Sequence, residues 1–270
     1  MTQATHQTHN VKAQLNVCII NSSGNSGKTI SGRWLVKPRL QEPKYYRIGF
    51  NDRNVSGDEI FAPVYKLSDV HVELMMMDTS VIVEVEMSEF ERTIDRMTQM
   101  MGCHEDYDFF LVPVVNSSPK LIADSIGTIK ILVNMGVPPH KIRILFNRDP
   151  GRHSASDYFE ELTDSLDKLK IPYDMKAQFQ CYDFYEKLEA LNLSYEDLTE
   201  HNLIDAKAHL KKISEKGRIH RLTDTEKAAK AFYVQVVLVQ RAALAYKSEH
   251  DEVFEILFQN YLESSMADAS

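Results

Sequence analysis

The chain has 270 residues, 31 Lys and Arg against 39 Asp and Glu, and a formal net charge of −8. Its composition, with 43% hydrophobic residues, ten Gly and three Cys, excludes the disordered, collagen-like and disulfide-dense classes. The negative net charge disfavours broad coating of nucleic acid, so a direct DNA contact is restricted to a local basic patch.

Two segments bear on targeting and location. Residues 1–13 are polar, and we expect a disordered tail there without a secretory signal. Ala228–Ala245 is the longest apolar-rich stretch, but Lys230 and Arg241 are among the polar residues that interrupt it, so we predict a buried helix instead of a membrane span. Because the three cysteines form no CxxC pair, a reducing, cytoplasmic location is expected.

Strand and helix patterns alternate through the first two thirds of the chain. The apolar run Leu15–Asn21 ends in a Gly- and Ser-rich stretch, which predicts a buried strand, a glycine loop and the start of a helix. Four further strands are predicted at Tyr45–Asn51, Ser80–Val85, Phe109–Val115 and Ile142–Phe146. Helical periodicity lies between them, clearest at Ser88–Met101 and Pro119–Met135. This order predicts an α/β fold with a mainly parallel sheet flanked by helices.

The pattern changes near Ser154. Ala155–Leu169 is predicted helical, Tyr173–Gln178 is a candidate edge strand, and nearly everything from Ser194 onward is helical. We therefore expect an α/β core over 14–180 and a helical C-terminal region over 181–270 that packs on it. A basic cluster in that region is either a DNA or partner contact or a solvated helix face. Its members are Lys211, Lys212, Lys216, Arg218, His220 and Arg221.

The glycine loop carries the strongest chemical signal. Its sequence is Ser22-Ser23-Gly24-Asn25-Ser26-Gly27-Lys28-Thr29, the pattern of a P-loop with Ser22 at the usual first glycine. Gly24 and Gly27 let backbone N–H groups turn toward phosphate oxygens, and the helix that follows adds its positive end. We expect Lys28 to face solvent and to neutralise the β and γ phosphates of a bound nucleotide. Thr29 is expected to offer its hydroxyl to Mg²⁺.

The loop thus predicts ATP and Mg²⁺ as cofactors. The alternative is a Gly- and Ser-rich turn followed by a chance Lys-Thr pair. The predicted nucleotide-binding residues of this segment are Ser23, Gly24, Asn25, Ser26, Gly27, Lys28, Thr29 and Ile30.

The stretch Val17–Lys28 resembles the P-loop of StbB-type plasmid stability proteins, members of the ParA/MinD superfamily of deviant Walker ATPases. In that group the loop reads close to Asn-Phe-Ser-Gly-Asn-Val-Gly-Lys-Thr-Thr. Ser22, Ser26 and Ile30 depart from it. The matching positions are Asn21, Ser23, Gly24, Asn25, Gly27, Lys28 and Thr29. The resemblance extends over roughly Leu15–Asp149 and implies a P-loop NTPase fold.

The resemblance also assigns residues beyond the loop. Glu84 stands where the relatives have the Mg²⁺-holding Asp, and Glu86 stands in place of a Gly near the γ-phosphate, which implies slow or altered hydrolysis. The alternative is a pair of ordinary strand-end carboxylates. ParA proteins carry a second loop lysine that reaches across the ATP-bound dimer. Ser23 occupies that position here, so dimerisation would need other contacts.

Two further positions follow from the same resemblance. Asp52 lies where the family has acidic switch residues, as a base or a metal-shell ligand, although a turn-forming Asp is an equal alternative. Asn147 resembles the family's adenine-contacting Asn, against the alternative of a residue that caps the strand end. The predicted catalytic residues are therefore Lys28, Asp52 and Glu84, and the predicted metal ligands are Thr29, Asp52 and Glu84.

The implied function is an ATP-binding switch in plasmid stability, segregation or conjugative transfer. It would hydrolyse ATP slowly with Mg²⁺, form a homodimer and act with a DNA-binding plasmid partner protein. One alternative is a nucleotide-stabilised pseudo-ATPase scaffold that acts by protein interaction only. A small-molecule kinase ranks third, since no Arg-rich lid is recognisable. The absence of an Asn-Lys-x-Asp motif favours ATP over GTP.

Overall fold

The computed structural model describes residues 14–55, 57–76, 78–148, 155–180, 184–191, 193, 198 and 206–267. The predicted tail over 1–13 lies outside this range, as do Asp149 and Cys181.

The described residues form one seven-stranded sheet in which every pairing is parallel, with the order β3-β2-β4-β1-β5-β6-β7. The predicted parallel α/β sheet is confirmed. The central strands are buried on both faces, which is why they appear in the sequence as continuous apolar runs. The strands are β1 (Asn16–Ile19), β2 (Lys44–Ile48), β3 (Ile60–Ala62), β4 (Val81–Val85), β5 (Phe109–Val115), β6 (Ile142–Arg148) and β7 (Gln178–Gln180).

Helices connect and cover these strands. They are α1 (Lys28–Ile30), α2 (Leu67–Met76), α3 (Phe90–Gln99), α4 (Pro119–Asn134), α5 (Ala155–Leu169), α6 (Phe184–Leu191), α7 (Ala206–Ile219) and α8 (Asp224–Ala267). The short α1 continues directly into a π-helical segment, Ser31–Val36, and a 3-10 turn, Lys37–Arg39. Other 3-10 turns span Asp52–Asn54, Val64–Lys66, Met87–Glu89, Cys103–Asp106 and Pro139–Lys141.

The sheet has an apolar layer on each face because side chains alternate along each strand. Cys18 and Ile20 belong to the layer beneath α2, α3, α4 and α5. Val17 and Ile19 belong to the opposite layer, which the segment after α1 and the end of α8 cover. In that second layer the ring of Phe258 on α8 lies 5.4 Å from the ring of Phe109 on β5. The helical C-terminal region thus packs directly on the sheet.

Ala228–Ala245 lies within α8, so the predicted helix is confirmed, but the prediction that it is buried is wrong. Within it Val236, Val237, Val239 and Ala243 are buried, whereas Phe232, Leu238 and Leu244 are between 40% and 51% exposed. The physical reason is that α7 and α6 cover α8 on only part of its circumference here. Among the described helices, none contains an apolar stretch that could span a bilayer.

Candidate functional site

The predicted phosphate-binding loop joins the end of β1 to α1. β1 lies between β4 and β5. The strands β2, β3 and β4 lie on one side of β1, and β5, β6 and β7 lie on the other, so the direction in which strands are added reverses at β1. Ligands of open α/β sheets bind outside the carboxyl ends of the strands at such a reversal. The loop Ile20–Gly27 lies at this point.

The loop ends in a backbone conformation that requires glycine. Gly27 has φ +92° and ψ 17°, in the left-handed region, and Asn25 also has a positive φ of 54°. A Cβ on Gly27 would lie 2.3 Å from Nδ2 of Asn147. That same Nδ2 donates to the carbonyl of Ser26 at 2.7 Å. Gly27 therefore makes the turn and also leaves room for the amide that holds it.

The base of the loop is tied to β5 and α4. Asn21 Nδ2 donates to the Pro113 carbonyl at 2.8 Å and to Ser125 Oγ at 2.9 Å. Its Oδ1 accepts from the backbone N–H of Ser23 at 2.8 Å. The backbone N–H of Ser22 donates to Thr128 Oγ1 at 3.0 Å. Sequence reasoning missed Ser125 and Thr128, although both are small polar residues within the predicted amphipathic helix.

Lys28 is buried, with 8% of its surface exposed, so the expectation of a solvent-facing lysine is wrong. Its Nζ donates back to the carbonyls of Asn21 at 3.0 Å and Ser23 at 2.8 Å. Burial lowers the pKa of Lys28 to about 8, against the opposing effect of the Glu84 carboxylate. The loop thus wraps around its own cation, because the side chain finds its acceptors within the loop.

Thr29 and Glu84 are brought together as the sequence predicted. Thr29 Oγ1 donates to Glu84 Oε1 at 2.7 Å, and the hydroxyl of Tyr45 donates to Glu84 Oε2. Glu84 is 1% exposed because alternation on β4 turns it, like Ile82, toward the helix that follows the loop. A hydroxyl beside a carboxylate is the oxygen donor set that Mg²⁺ prefers.

Arg47 joins this pair and was not predicted. It lies on β2 directly beside Glu84 in the register of the sheet. Its Nη1 is 3.3 Å from both Thr29 Oγ1 and Glu84 Oε2, and its Nη2 is 3.4 Å from Glu86 Oε1. The available signal was a charged residue inside an otherwise apolar strand run, Tyr45–Ile48.

The site balances its charges internally. Glu59 is bound by Arg33 Nη2 at 2.9 Å and lies 3.9 Å from Arg47 Nη1. The acidic members of the cluster are Glu59, Glu84 and Glu86, and the basic members are Lys28, Arg33 and Arg47. The described cluster thus contains equal numbers of carboxylates and basic side chains.

Asp52 is not brought to this cluster. It begins the exposed 3-10 turn Asp52–Asn54, in which Asn51 Oδ1 accepts from the N–H of Arg53 at 3.0 Å. Within the described residues the Asp52 side chain makes no hydrogen bond or ion pair. This is the geometry of the turn-forming alternative. A role as base or metal ligand stays a prediction.

The other predicted loop residues divide into two groups. Gly24 lies against Met87, whose Sδ would be 3.0 Å from a Cβ there, and Ile30 is half-buried between two apolar clusters. Ser23 and Ser26 are buried, and the Ser26 hydroxyl has no hydrogen-bond partner among the described residues. An orphaned hydroxyl inside this loop is suited to a phosphate oxygen.

A scan of protein-family models and a search of curated proteins each find no match to this chain. A functional proposal therefore depends on the geometry of the site. In the part of the chain that the structure describes, no three His, Cys, Asp or Glu side chains form a metal-binding group. Mg²⁺ commonly binds through one or two protein ligands, water and substrate phosphates, so the Thr29–Glu84 pair fits that ion.

Proposed function

We propose that this protein binds ATP with Mg²⁺ at the loop 22–29 and uses the bound state as a conformational switch. The observation that carries the proposal is the combination of the left-handed turn at Gly27 with the Lys28 amine, at the carboxyl end of the central parallel strand. Backbone N–H groups in such a loop and the start of the following helix favour an anionic phosphate.

Each residue of the site has a distinct role in this proposal. Lys28 would exchange its two carbonyl acceptors for phosphate oxygens, and the Ser26 hydroxyl would gain an acceptor. Thr29 and Glu84 would hold Mg²⁺, which neutralises phosphate charge when it is bound. The Nδ2 of Asn147 donates one hydrogen bond to the Ser26 carbonyl. An adenine contact by this residue would therefore use the second hydrogen of Nδ2 or the acceptor Oδ1.

The chain's resemblance to StbB-type proteins supports a role in plasmid stability, segregation or conjugative transfer. A slow ATPase suits such a role, because the γ-phosphate and Mg²⁺ can hold loops that relax after hydrolysis. A homodimer and a DNA-binding partner protein belong to the same proposal. Since Ser23 is buried, its side chain does not extend toward a second subunit, and a dimer would need other residues.

Phosphate release tests the switch against the pseudo-ATPase alternative. We expect wild-type protein with ATP and Mg²⁺ to release phosphate above the level of Lys28→Met. If wild type binds ATP but releases no more phosphate than this variant, the nucleotide-stabilised scaffold is the better description. The kinase alternative would require turnover that depends on an added acceptor.

The pH dependence of nucleotide affinity follows from the buried lysine. The ordinary pKa of Lys is 10.5, and burial lowers that of Lys28 to about 8. Bound phosphate favours the protonated amine, so ATP affinity should be constant below pH 8 and fall as the pH rises above it. The decline approaches about tenfold per pH unit, until the pKa of the complex is reached.

Calorimetric titrations across this range check the pH dependence, with Lys28→Arg as the matched variant. A guanidinium stays charged throughout, so the variant should show a flat profile even if its affinity is lower. Parallel profiles for wild type and Lys28→Arg would show that another group titrates.

Arg47 should compete with Mg²⁺ for the same oxygen atoms. Its guanidinium contacts Thr29 and Glu84, the two residues that would hold the metal, so it must withdraw when Mg²⁺ binds. We expect Arg47→Met to lower the Mg²⁺ concentration needed for half-maximal ATP binding by about tenfold, equivalent to ~1.4 kcal/mol. Glu84 keeps its donors Thr29 and Tyr45 in this variant.

The charge-matched control for this experiment is Arg53→Met, because Arg53 is exposed on the neighbouring turn. It should leave the Mg²⁺ requirement at the wild-type value. An unchanged or higher Mg²⁺ requirement in Arg47→Met would contradict the competition.

Among the described residues, a candidate surface for direct DNA contact is the basic hairpin formed by residues 206–230 of α7 and the start of α8. It carries eight Lys and Arg against three Asp and Glu in a chain whose net charge is −8. Lys211 and Lys212 are exposed. Phosphate contacts by such side chains release counterions, so binding to duplex DNA should weaken steeply with salt.

Fluorescence anisotropy with a duplex of arbitrary sequence tests this surface. We expect a double Lys211→Gln, Lys212→Gln variant to bind more weakly and with a smaller salt slope. The matched control is Lys168→Gln with Lys170→Gln, which removes two exposed lysines elsewhere. Equal losses in both double variants would assign any binding to overall charge.

A further inference from the structure

A cleft of about 550 Å³ lies next to the proposed nucleotide site. Its walls are the loops that follow β2 and β3 and one face of α3 with the turn before it, and we call it the α3 cleft. Its volume is in the range of small-molecule sites. None of the roles proposed above uses it.

Two aromatic rings line this cleft in an exposed state. Phe50 is 72% exposed and Tyr65 is 74% exposed, and they come from the loops after β2 and β3. Large rings left in water at a concave surface represent apolar area that a ligand can bury. Aromatic rings favour stacked or edge-to-face contact with another planar group. A planar apolar group would therefore suit these two rings.

The polar part of the cleft comprises the two arginines of α3, Arg92 and Arg96, together with the carboxylates of Glu89 and Asp95 and the amide of Gln99. Arg92 and Arg96 are one helical turn apart and both line it. Arg92 Nη1 is 3.5 Å from Glu89 Oε2, and Arg96 Nη1 is 3.5 Å from Gln99 Oε1, so both contacts are at the long limit of hydrogen bonding. Nε of Arg96 is buried and has no hydrogen-bond partner among the described residues. These donors can form the paired hydrogen bonds that a carboxylate or phosphate accepts.

The cleft is contiguous with the charged cluster to which Glu84 and Glu86 belong. Gly49 lines it, and a Cβ at Gly49 would be only 2.7 Å from Glu86 Oε2. Glu86 in turn contacts Arg47 at 3.4 Å. The cleft therefore opens at the carboxyl ends of the strands, as the loop 22–29 does. The side chains of Glu86 and Arg47 lie between the two.

We infer that the α3 cleft binds a small planar aromatic acid. The carboxylate or phosphate of the ligand lies against Arg96 and Arg92, and its ring contacts Phe50 and Tyr65. This binding does not depend on the proposed ATP site, because none of these four residues belongs to the loop 22–29.

Calorimetric titration of the nucleotide-free full chain tests the inference, with 1-naphthoate and 1-naphthyl phosphate as probes and 1-naphthol as the uncharged comparison. We expect saturable binding of at least one acid, and at least tenfold weaker binding of the alcohol. The probe that binds more tightly shows whether the cleft prefers a carboxylate or a phosphate. If neither acid binds saturably up to its solubility limit, the inference is wrong.

Variants locate the probe. Arg96→Met and Phe50→Ala should each weaken binding about tenfold or more, and Phe50 is exposed enough to be replaced without loss of the fold. Arg53→Met, outside the cleft, and Lys28→Met, in the loop, should leave binding unchanged. Loss in Lys28→Met with retention in Arg96→Met and Phe50→Ala would overturn the inference and place the acid in the phosphate loop.

Discussion

ATP with Mg²⁺ is expected to raise the melting temperature of the wild-type protein, and Lys28→Met is expected to abolish that rise. At an ATP concentration 100 times its Kd, binding stabilises the folded state by about 2.7 kcal/mol. For a chain of this size that is a shift of roughly 5–10 °C. The variant loses the one cation that lies inside the loop and donates to the loop's own carbonyls.

Methionine is chosen because Lys28 is buried, and alanine would leave a void where the aliphatic stem packs. The matched control is Lys66→Met, which removes an exposed lysine near the same edge of the sheet. It should keep the full ATP-induced shift. Equal shifts in Lys28→Met and wild type, measured by differential scanning calorimetry, would remove the phosphate-loop interpretation.

Gly27→Ala is expected to lower both stability and ATP affinity, because the added methyl group introduces backbone strain and a steric clash. An Ala at φ +92° is strained by about 1–2 kcal/mol. Its Cβ would also lie 2.3 Å from Nδ2 of Asn147, so either the loop or the amide must move. We expect a lower free energy of unfolding and at least a tenfold loss of ATP affinity, since the backbone N–H groups lose their arrangement.

Gly102→Ala is the control variant, because it introduces the backbone strain without the steric clash. Gly102 has a similar φ of +86°, but a Cβ there would meet no atom within 4 Å. Urea unfolding should show a smaller loss of stability for this variant, and calorimetry should show wild-type ATP affinity. If Gly27→Ala binds ATP as wild type does, the geometry of the turn does not matter for binding.

The β1–loop–α1 unit was predictable because its signals are local. A buried parallel strand appears as an apolar run, and the Gly- and Ser-rich stretch after it has few other structural uses. The pairing of Thr29 with Glu84 was expected because the P-loop pattern gives Thr29 to Mg²⁺ and the resemblance to StbB-type proteins puts Glu84 at the Mg²⁺-holding position. β3, with three residues at the edge of the sheet, offers too short a pattern, and α2 was missed with it.

The rest of the site depends on register and packing, which a single sequence does not specify. Arg47 enters because β2 pairs with β4 so that Arg47 and Glu84 are direct neighbours. Asn147 was predicted as an adenine contact, whereas from β6, on the far side of β5, its amide donates to the Ser26 carbonyl. The burial of Lys28 likewise results from acceptors that only the folded loop supplies. Asp52 shows the opposite case, a loop carboxylate whose turn keeps it away from the cluster.

Calorimetric titration of the full chain with ATP in excess Mg²⁺ tests the central claim most directly. The account predicts saturable binding of one ATP per chain, at least a hundredfold weaker in Lys28→Met, a loss of about 2.7 kcal/mol or more. Absence of saturable ATP binding to wild type, or equal affinity in wild type and Lys28→Met, would contradict it.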